Sequence, residues 1–261
     1  MNCWRWPVDN TLPLKLEGYL RQLCLAAVRK EYVRLAVKAK DESLSYEQYL
    51  LSVIETEYLQ RRARRIERYL QDSRLPLEKT LQAFDLKRLP TKALQQFNSL
   101  KNGRFLEHNE NVLVFGNPGS GKTHLVCALA QELIRQGRRI YFSTCALLLQ
   151  ELLLAKRELR LPRLLKKFNA YEVIVIDDIG YVQQEKEEME VLFTLLAERY
   201  ERGSVMITSN LPFSKWERIF KDPVMTAAAV DRIVHHSAIL ELNMPSYRMN
   251  QAKENKIKKG G

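Results

Sequence analysis

The sequence lacks the features that define a secreted or membrane-bound chain. None of its apolar runs approaches the roughly 18 residues that cross a bilayer, so we expect no membrane association. Its four cysteines (Cys3, Cys24, Cys127 and Cys145) are scattered, and they form no C-x-x-C pair with which histidines could complete a zinc site. We therefore expect free thiols and a cytoplasmic location.

Negative charge is also in short supply. The 261 residues include 42 Lys and Arg against 31 Asp and Glu, for a formal net charge of +11. Such an excess favours an anionic partner without identifying it. The sequence contains no zinc finger, recognition-helix signature or aromatic RNA-binding motif. Any binding to nucleic acid should therefore be mainly to the phosphate backbone, largely sequence-independent and sensitive to salt.

Glycine is scarce, yet three of the ten glycines lie in one motif. The motif is Gly116-Asn117-Pro118-Gly119-Ser120-Gly121-Lys122-Thr123. It fits G-x-x-x-x-G-K-[ST], with a strand-like run before it and a helix-like run after it, as a phosphate-binding loop requires. Lys122 is expected to reach the β and γ phosphates of a nucleotide, and the Thr123 hydroxyl to bind Mg²⁺. We expect residues 116–124, including His124, to bind the nucleotide; a glycine turn without a ligand is the alternative.

Two acidic residues follow the apolar run 173–176. Asp177 and Asp178 should emerge at the carboxyl end of this strand, where parallel sheets bind ligands. Asp177 is predicted to hold Mg²⁺ together with Thr123, and Asp178 to activate the attacking water as a general base. A strand that ends in an acidic turn is the alternative.

Another predicted strand, near 205–208, ends in polar residues, Thr208-Ser209-Asn210. Asn210 could orient the water between the phosphates and the acidic pair. Ser-Asn also ends many strands simply as a turn, so this assignment depends on the other two motifs.

Two arginines near the C-terminal end of the sequence are candidates for contacts to phosphate. A guanidinium that touches the γ-phosphate of a neighbouring subunit makes hydrolysis depend on assembly. Arg232 and Arg248 could serve in this way. From spacing alone, a surface ion pair with Asp231 is the favoured interpretation of Arg232.

From residue 111 onward the pattern alternates between strands and helices. Strands are predicted near 112–115, 140–143, 173–176, 205–208 and 238–242, and helices near 121–135, 144–160, 185–202, 214–220 and 225–235. This alternation predicts an α/β fold with a parallel five-stranded sheet flanked by helices. Gly203 is the predicted stop of the third of these helices.

The preceding residues are predicted to be helical. One helix is expected over 14–40 and another from about Ser45 to residue 72, with Ser45 and Gln48 in capping-box positions. The predicted domains are an all-α N-terminal domain (1–75), a connector (76–110), an ATPase domain (111–250) and a basic tail (251–261).

Two basic clusters are candidates for DNA binding. Arg61, Arg65 and Arg68 share a helix face that could track phosphates. A solvated face, or acidic partners on the next subunit, is the alternative. The expected DNA-binding residues are Arg61, Arg62, Arg65, Arg68, Lys156, Arg157 and Arg160.

From Gly116 to Arg248 the sequence resembles the IstB-like ATP-binding proteins, the AAA+ helpers of transposition encoded beside the IstA transposase. The matching segments are GNPGSGKTH (116–124), DDIGY (177–181), LAERYERGSVMITSNLPF (196–213), DRIVHH (231–236) and SYR (246–248). The helical N-terminal region and the segment from Pro76 to Asp85 are similar as well, so the resemblance covers nearly the whole chain. DnaC helicase loaders are more distantly similar.

The resemblance implies an AAA+ P-loop fold, ATP and Mg²⁺ as ligands, and defined residue roles. These roles are Walker A for Lys122 and Thr123, Walker B for Asp177 and Asp178, sensor 1 for Asn210, the trans arginine finger for Arg232 and the sensor-2 arginine for Arg248. It also implies ATP-dependent homo-oligomerisation on duplex DNA, selection or remodelling of target DNA, and stimulation of the cognate transposase. Phe84 and Asp85 are expected near the adenine.

The sequence departs from the wider AAA+ pattern at Asp178, where glutamate is usual; the shorter side chain would slow hydrolysis. Three other functions stay open at this point. They are a DnaC-type loader of a replicative helicase, a phosphotransferase acting on a small molecule, and a passive DNA-binding scaffold with an inactive nucleotide site.

Overall fold

The computed structural model describes residues 11–180, 185–220 and 222–247. The chain divides into two compact units, residues 1–67 and residues 68–261. Among the described residues, no helix is long and apolar enough to span a bilayer. Cys24, Cys127 and Cys145 are free thiols; Cys3 and the predicted basic tail lie outside the described residues.

In the described part of the N-terminal unit, from residue 11 onward, there are three helices where the sequence predicted two. The helices are α1 (Leu12–Gln22), α2 (Ala26–Asp41) and α3 (Tyr46–Asp72), the last of which continues past the unit boundary. The prediction of one helix over 14–40 is wrong because the chain turns at Cys24, which has a left-handed backbone (φ 55°). The Glu57 carboxylate accepts hydrogen bonds from the N–H groups of Ala27 and Val28. It therefore caps the start of α2 from 30 residues away.

The predicted capping box at the start of α3 is confirmed. The Ser45 N–H donates to the Gln48 side chain at 2.9 Å, and the Gln48 N–H donates to the Ser45 hydroxyl at 3.3 Å. These two bonds satisfy donors that the first turn of a helix leaves without partners.

The predicted connector includes a helix that periodicity did not reveal. Helix α4 (Thr91–Leu100) buries Ala93, Phe97 and Leu100 at helical spacing. It is only ten residues long, so its apolar face is a weak signal beside the breaks that surround it.

The predicted five-stranded parallel sheet is confirmed. Its strands are β1 (Asn111–Gly116), β2 (Ile140–Thr144), β3 (Val173–Ile179), β4 (Ser204–Ser209) and β5 (Ser237–Leu242), in the order β2-β3-β4-β1-β5. All neighbouring pairs are parallel. The carboxyl ends of β1, β3 and β4 therefore meet at one edge, and this edge collects the chemistry-bearing motifs.

Six α-helices are described between the strands. They are α5 (Lys122–Arg135), α6 (Cys145–Arg157), α7 (Leu161–Phe168), α8 (Lys186–Arg199), α9 (Glu217–Phe220) and α10 (Pro223–Val234). The predicted helix over 144–160 ends early, because Leu159 adopts a left-handed backbone. Helix α7, which has Pro162 in its first turn, was not predicted.

Helix α8 does not stop at Gly203 as predicted. It ends at Arg199, and Glu201 takes the left-handed conformation (φ 57°). Gly203 instead makes room for Arg199, because a Cβ there would lie 2.3 Å from a guanidinium nitrogen. The buried Arg199 donates to the carbonyl oxygens of Phe168, Tyr171, Glu172 and Ser204. Burial lowers the pKa of Arg199 to about 10, so the side chain stays charged near neutral pH.

Candidate nucleotide-binding site

The loop between β1 and α5 is formed by glycines that two distant segments approach closely. Gly119 and Gly121 both have left-handed backbones (φ 78° and 95°). A Cβ on Gly119 would lie 2.2 Å from the Ser246 hydroxyl, and one on Gly121 would lie 2.9 Å from the Phe84 ring. Only glycine fits both positions, so the loop backbone is held open as a cradle.

The interior of this cradle is polar. The Lys122 ammonium donates to the carbonyl oxygens of Gly116 and Asn117, at 2.9 and 3.1 Å. The Ser120 hydroxyl is buried and has no hydrogen-bond partner in the described part of the chain. A buried orphan donor next to a lysine and a helix N-terminus fits an oxyanion ligand.

The carboxylate of Asp177 lies near the carboxyl end of β3 and is held by two threonines. It is 4 % exposed and accepts hydrogen bonds from Thr123, at 2.9 and 3.0 Å, and from Thr208 at 2.6 Å. Burial raises the pKa of Asp177, and the charge of Asp178 adds to that shift. Hydrogen bonds from Thr208 and Thr123, and the charge of Lys122, act in the opposite direction. The hydroxyl of Thr123 and the carboxylate of Asp177 are hard oxygen donors of the kind that Mg²⁺ prefers.

Asp178 differs from Asp177 in both backbone and exposure. It has a left-handed backbone (φ 61°), its side chain is exposed, and the pairing of β3 with β4 shifts register between Ile176 and Ile179. Its N–H donates to the Thr208 hydroxyl at 2.8 Å. The bulge therefore turns the second carboxylate away from the buried one.

Thr208 is the functional residue that the sequence analysis missed. It is fully buried and bridges the acidic pair, since it donates to Asp177 and accepts from the Asp178 N–H. In the sequence Thr208 is only one of the polar residues that end this strand, and the pairing of β3 with β4 is what gives it a role.

Asn210 follows β4 in a loop that its neighbours fix. The Ser209 hydroxyl donates to the Ile179 carbonyl oxygen and accepts the Leu211 N–H, at 3.1 and 3.0 Å. The buried Trp216 indole donates to the Leu211 carbonyl oxygen at 3.1 Å. Asn210 is thereby held beside Asp178 in the lining of one cavity.

The connector runs along α5 and supplies the apolar end of that cavity. His124 Nε2 lies 2.8 Å from the Thr80 carbonyl oxygen, and the Gln131 amide donates to the Lys79 carbonyl oxygen at 3.1 Å. The Phe84 ring packs edge-on against His124, with centroids 5.1 Å apart. His124 thus holds the connector in place as well as lining the cavity.

The segment after β5 covers the loop from its other side. The Tyr247 N–H donates to the Gly119 carbonyl oxygen at 2.9 Å. The Arg88 guanidinium lies over the Tyr247 ring, 4.9 Å from its centroid, and donates to the Pro245 carbonyl oxygen. These contacts join three parts of the chain that are far apart in sequence.

Together these elements enclose a cavity of about 280 Å³. Its lining consists of residues 118–124, Asp178 and Asn210 at the polar end, and of Lys79, Ala83, Phe84, Asp85, Arg88, Met244 and Tyr247 elsewhere. The glycine loop therefore suits phosphates, and Phe84, Tyr247 and Met244 add aromatic and aliphatic surface for a base.

Comparison with known proteins agrees with this geometry. The model of the family described as IstB-like ATP binding protein matches residues 18–255. The chain belongs to this family. An insertion sequence ATP-binding protein of Sinorhizobium fredii is 39% identical over 97% of this chain and 86% of its own length. The insertion sequence IS21 ATP-binding protein of Pseudomonas aeruginosa is 35% identical over 92% and 91%.

Solved structures show that this IstB-like chain has the fold of AAA+ P-loop proteins. A DNA replication initiation factor has a TM-score of 0.58 at 15% identity, over 72% of this chain and 56% of that one. DnaA from Aquifex aeolicus with bound AMPPCP has a TM-score of 0.56 at 15% identity, over 71% and 57%. The DnaC helicase loader has a TM-score of 0.51 at 22% identity, over 57% and 88%.

Arg232 lies away from the cavity of its own chain. It is near the end of α10, where the adjacent Ile233 carbonyl oxygen accepts a bond from the side chain of Asn111, at the start of β1. Its guanidinium lies over the Phe193 ring, 4.8 Å from the centroid, and Nη1 is buried without a hydrogen-bond partner among the described residues. Arg248 lies outside the described residues.

The predicted DNA-binding residues differ in what they contact. Arg61 donates to Glu57 at 2.7 Å and to the Cys24 carbonyl oxygen at 2.8 Å, whereas Arg62, Arg65 and Arg68 are exposed. In the unit formed by residues 68–261, Lys156 pairs with Glu190 and Arg160 with Glu158, and Arg157 is exposed. Several of the predicted DNA-binding cations of this IstB-like chain are therefore open to solvent.

Proposed function

We propose that this chain is an ATP-hydrolysing helper of DNA transposition. In this proposal it binds ATP with Mg²⁺, assembles on duplex DNA, remodels or selects the target, and stimulates the transposase of its insertion sequence. The observation that carries the proposal is the convergence of Lys122, Thr123, Asp178 and Asn210 on one cavity whose lining also includes aromatic rings. The buried carboxylate of Asp177 is hydrogen-bonded to Thr123 of that lining. The names of the relatives supply the link to insertion sequences.

The fit to a magnesium nucleotide follows from the donors present. Among the described residues, no cluster of three His, Cys, Asp or Glu side chains could hold a metal alone. Mg²⁺ commonly binds through one or two carboxylates together with substrate phosphates. Thr123 and Asp177 would hold it, and the bound metal would offset phosphate charge. Metal binding should therefore depend on the nucleotide.

Hydrolysis would use Asp178 and Asn210. Asp178 is exposed at the cavity, and its backbone is fixed by Thr208, so its carboxylate is available to accept a proton from water. Asn210, next to it in the lining, would orient that water. Lys122 would stabilise the negative charge of the phosphates.

Assembly would use Arg232. This arginine is not among the residues that line the nucleotide cavity of its own chain, so we assign it a contact with the nucleotide of another protomer. A trans arginine of this kind would make hydrolysis depend on oligomerisation. The exposed arginines of α3 and the basic α6–α7 region would then hold the DNA backbone.

The DnaC-type loader is the second candidate, because the fold is shared with DnaC. A replicative helicase would then replace the transposase as the protein partner. Pull-downs against each partner separate the two functions.

Two measurements test the main proposal. In sedimentation, the wild-type protein should form large species only with ATP and duplex DNA together, and Lys122→Ala should not form them. Equal species with and without ATP and DNA would contradict the assembly. In calorimetry, Phe84→Ala should weaken ATP binding by about tenfold and leave inorganic triphosphate binding unchanged; equal losses for both ligands would remove Phe84 from the base site.

A further inference from the structure

The turn between α6 and α7 exposes an unusual leucine. Leu159 is 91% exposed and has a left-handed backbone (φ 54°). Its N–H donates to the Lys156 carbonyl oxygen at 3.1 Å, and the Arg160 N–H donates to the Ala155 carbonyl oxygen at 2.7 Å. This pair of bonds is the Schellman ending of a helix, in which glycine is the usual left-handed residue. A leucine there bears a steric cost and buries almost none of its side chain.

The residues around this turn are strongly basic. Arg157, Arg160, Arg163, Lys166 and Lys167 are all exposed. Arg160, Arg163 and Lys167 line a groove of about 550 Å³ between α6 and α7. They recur at helical spacing, so one edge of α7 presents a row of cations that begins next to Leu159.

The carboxylates of this groove are already engaged. Glu158 contacts Arg160, and Glu151 accepts from the Tyr141 hydroxyl at 2.8 Å and lies 3.3 Å from Arg74. Arg163 and Lys167 make no ion pair within the described ranges of the chain. The groove therefore keeps an excess of positive charge, which complements a phosphate backbone.

Leu159 is the more exposed of two exposed leucines here, since Leu154, which lines the groove, is 56% exposed. A strongly protruding leucine next to exposed cations matches one kind of partner well. Proteins that bend DNA insert apolar side chains between base steps while arginines and lysines hold the backbone on both sides. A protein partner would instead require a broader apolar face to bury useful area. The chemistry at this turn therefore favours duplex DNA over a peptide.

We propose that Leu159 inserts between neighbouring base pairs of duplex DNA and kinks it. This inference rests on the proposed DNA binding and adds the means by which the DNA is deformed. The basic row on α7 would hold the phosphates next to the kink. Because pyrimidine–purine steps unstack most readily, the site of insertion should favour TA and CA steps.

The test uses the full-length protein with ATP and a short duplex. The duplex carries fluorophores at its two ends to report bending, and 2-aminopurine beside a central TA step to report unstacking. Leu159→Ala should abolish both signals, reduce affinity by less than about tenfold, and leave the salt dependence of binding unchanged. Leu159→Met should keep both signals because it retains a long apolar side chain.

Two controls separate loss of the proposed Leu159 insertion, called here the wedge, from loss of DNA binding. Leu147→Ala removes a leucine of α6 that is 60% exposed but remote in sequence from the basic turn, and it should behave as wild type. Leu159→Gly relieves the left-handed backbone; it should fold with an equal or higher melting temperature and still fail to bend DNA.

Three outcomes would overturn the wedge. The first is that Leu159→Ala bends the duplex as much as the wild-type protein does. The second is that the wild-type protein binds the duplex without bending it. In both cases the proposed DNA binding would be retained. Intact bending with a weakened transposase pull-down would identify the turn as a protein contact instead. Absence of wild-type binding to duplex DNA would instead refute the proposed function on which the wedge depends.

Discussion

Thr208 donates a hydrogen bond of 2.6 Å from its hydroxyl to the Asp177 carboxylate on the neighbouring strand. The same hydroxyl accepts the N–H of Asp178 at 2.8 Å. One buried oxygen therefore fixes both the carboxylate that would hold Mg²⁺ and the backbone of the proposed general base. Residues that orient metal ligands in this way commonly affect affinity or activity by about 10–100-fold.

Thr208→Val should preserve the fold and lower kcat/KM for magnesium ATP by about tenfold or more. The hydroxyl now lowers the pKa of Asp177, so its loss raises that pKa further. The acid limb of the pH–rate profile should then move to higher pH. Thr208→Ser keeps the hydroxyl and is the matched control; an unchanged acid limb in Thr208→Val would contradict the role.

Asp178→Asn should bind ATP as wild type does and lose about 10²–10⁴-fold in hydrolysis. Asparagine tolerates the left-handed backbone at this position, so the change removes the base without disturbing the bulge. The assembled state on DNA should persist in sedimentation because ATP is not consumed. A variant that disassembles as readily as wild type would argue against Asp178 as the base.

Arg232→Ala should bind nucleotide normally but lose at least about 10³-fold in hydrolysis if its guanidinium acts in trans. Mixing Arg232→Ala with Asp178→Asn should restore part of the activity, since one protein supplies an intact nucleotide site and the other an intact arginine. Arg202→Ala, which removes a largely exposed arginine paired with Glu198, is the control. If the mixture stays inactive, a trans contact is not supported.

Arg65→Ala should reduce the slope of log affinity against log salt by about one, as loss of a phosphate contact requires. Arg61→Ala should leave the slope unchanged and instead destabilise the N-terminal unit, because it removes the partner of the nearly buried Glu57. Fluorescence anisotropy over a salt series and thermal melts distinguish the two. Equal slope changes would mean that Arg61 also contacts DNA.

Glu57 gives the N-terminal helices a defined response to acid. Burial raises the pKa of this group, but hydrogen bonds from Arg61 and from the Val28 and Ala27 N–H groups outweigh it, and the net pKa is lowered below 4.5. The carboxylate therefore stabilises the folded state above its unfolded pKa, and this stability is lost as pH falls through the lowered folded pKa. Glu57→Gln should melt at lower temperature at neutral pH and lose less on acidification. Identical acid transitions in circular dichroism would contradict this account.

The sheet and the phosphate loop could be predicted from the sequence because each depends on local patterns. Apolar runs locate β1 to β5, and the glycines around Lys122 specify the loop without help from distant residues. The capping box formed by Ser45 and Gln48 could be predicted for the same reason, because the two residues are only three positions apart.

Features that depend on distant contacts could not be predicted. The break at Cys24 is stabilised by Glu57, the role of Thr208 follows from the pairing of β3 with β4, and Arg88 meets Pro245 across 157 residues. No periodicity within a window of the chain carries such information. Phe84 and Asp85, which line the cavity, are predicted near the adenine only through the family resemblance.

Arg199 links several segments at the start of the sheet through hydrogen bonds. Its guanidinium serves carbonyl groups at the end of α7, before β3 and at the start of β4, and it lies on the same helix as Phe193, the ring beneath Arg232. Local unfolding of any one of these segments would leave the buried guanidinium of Arg199 without its hydrogen-bond partners. The amide hydrogens of all these segments should therefore exchange with solvent together rather than singly.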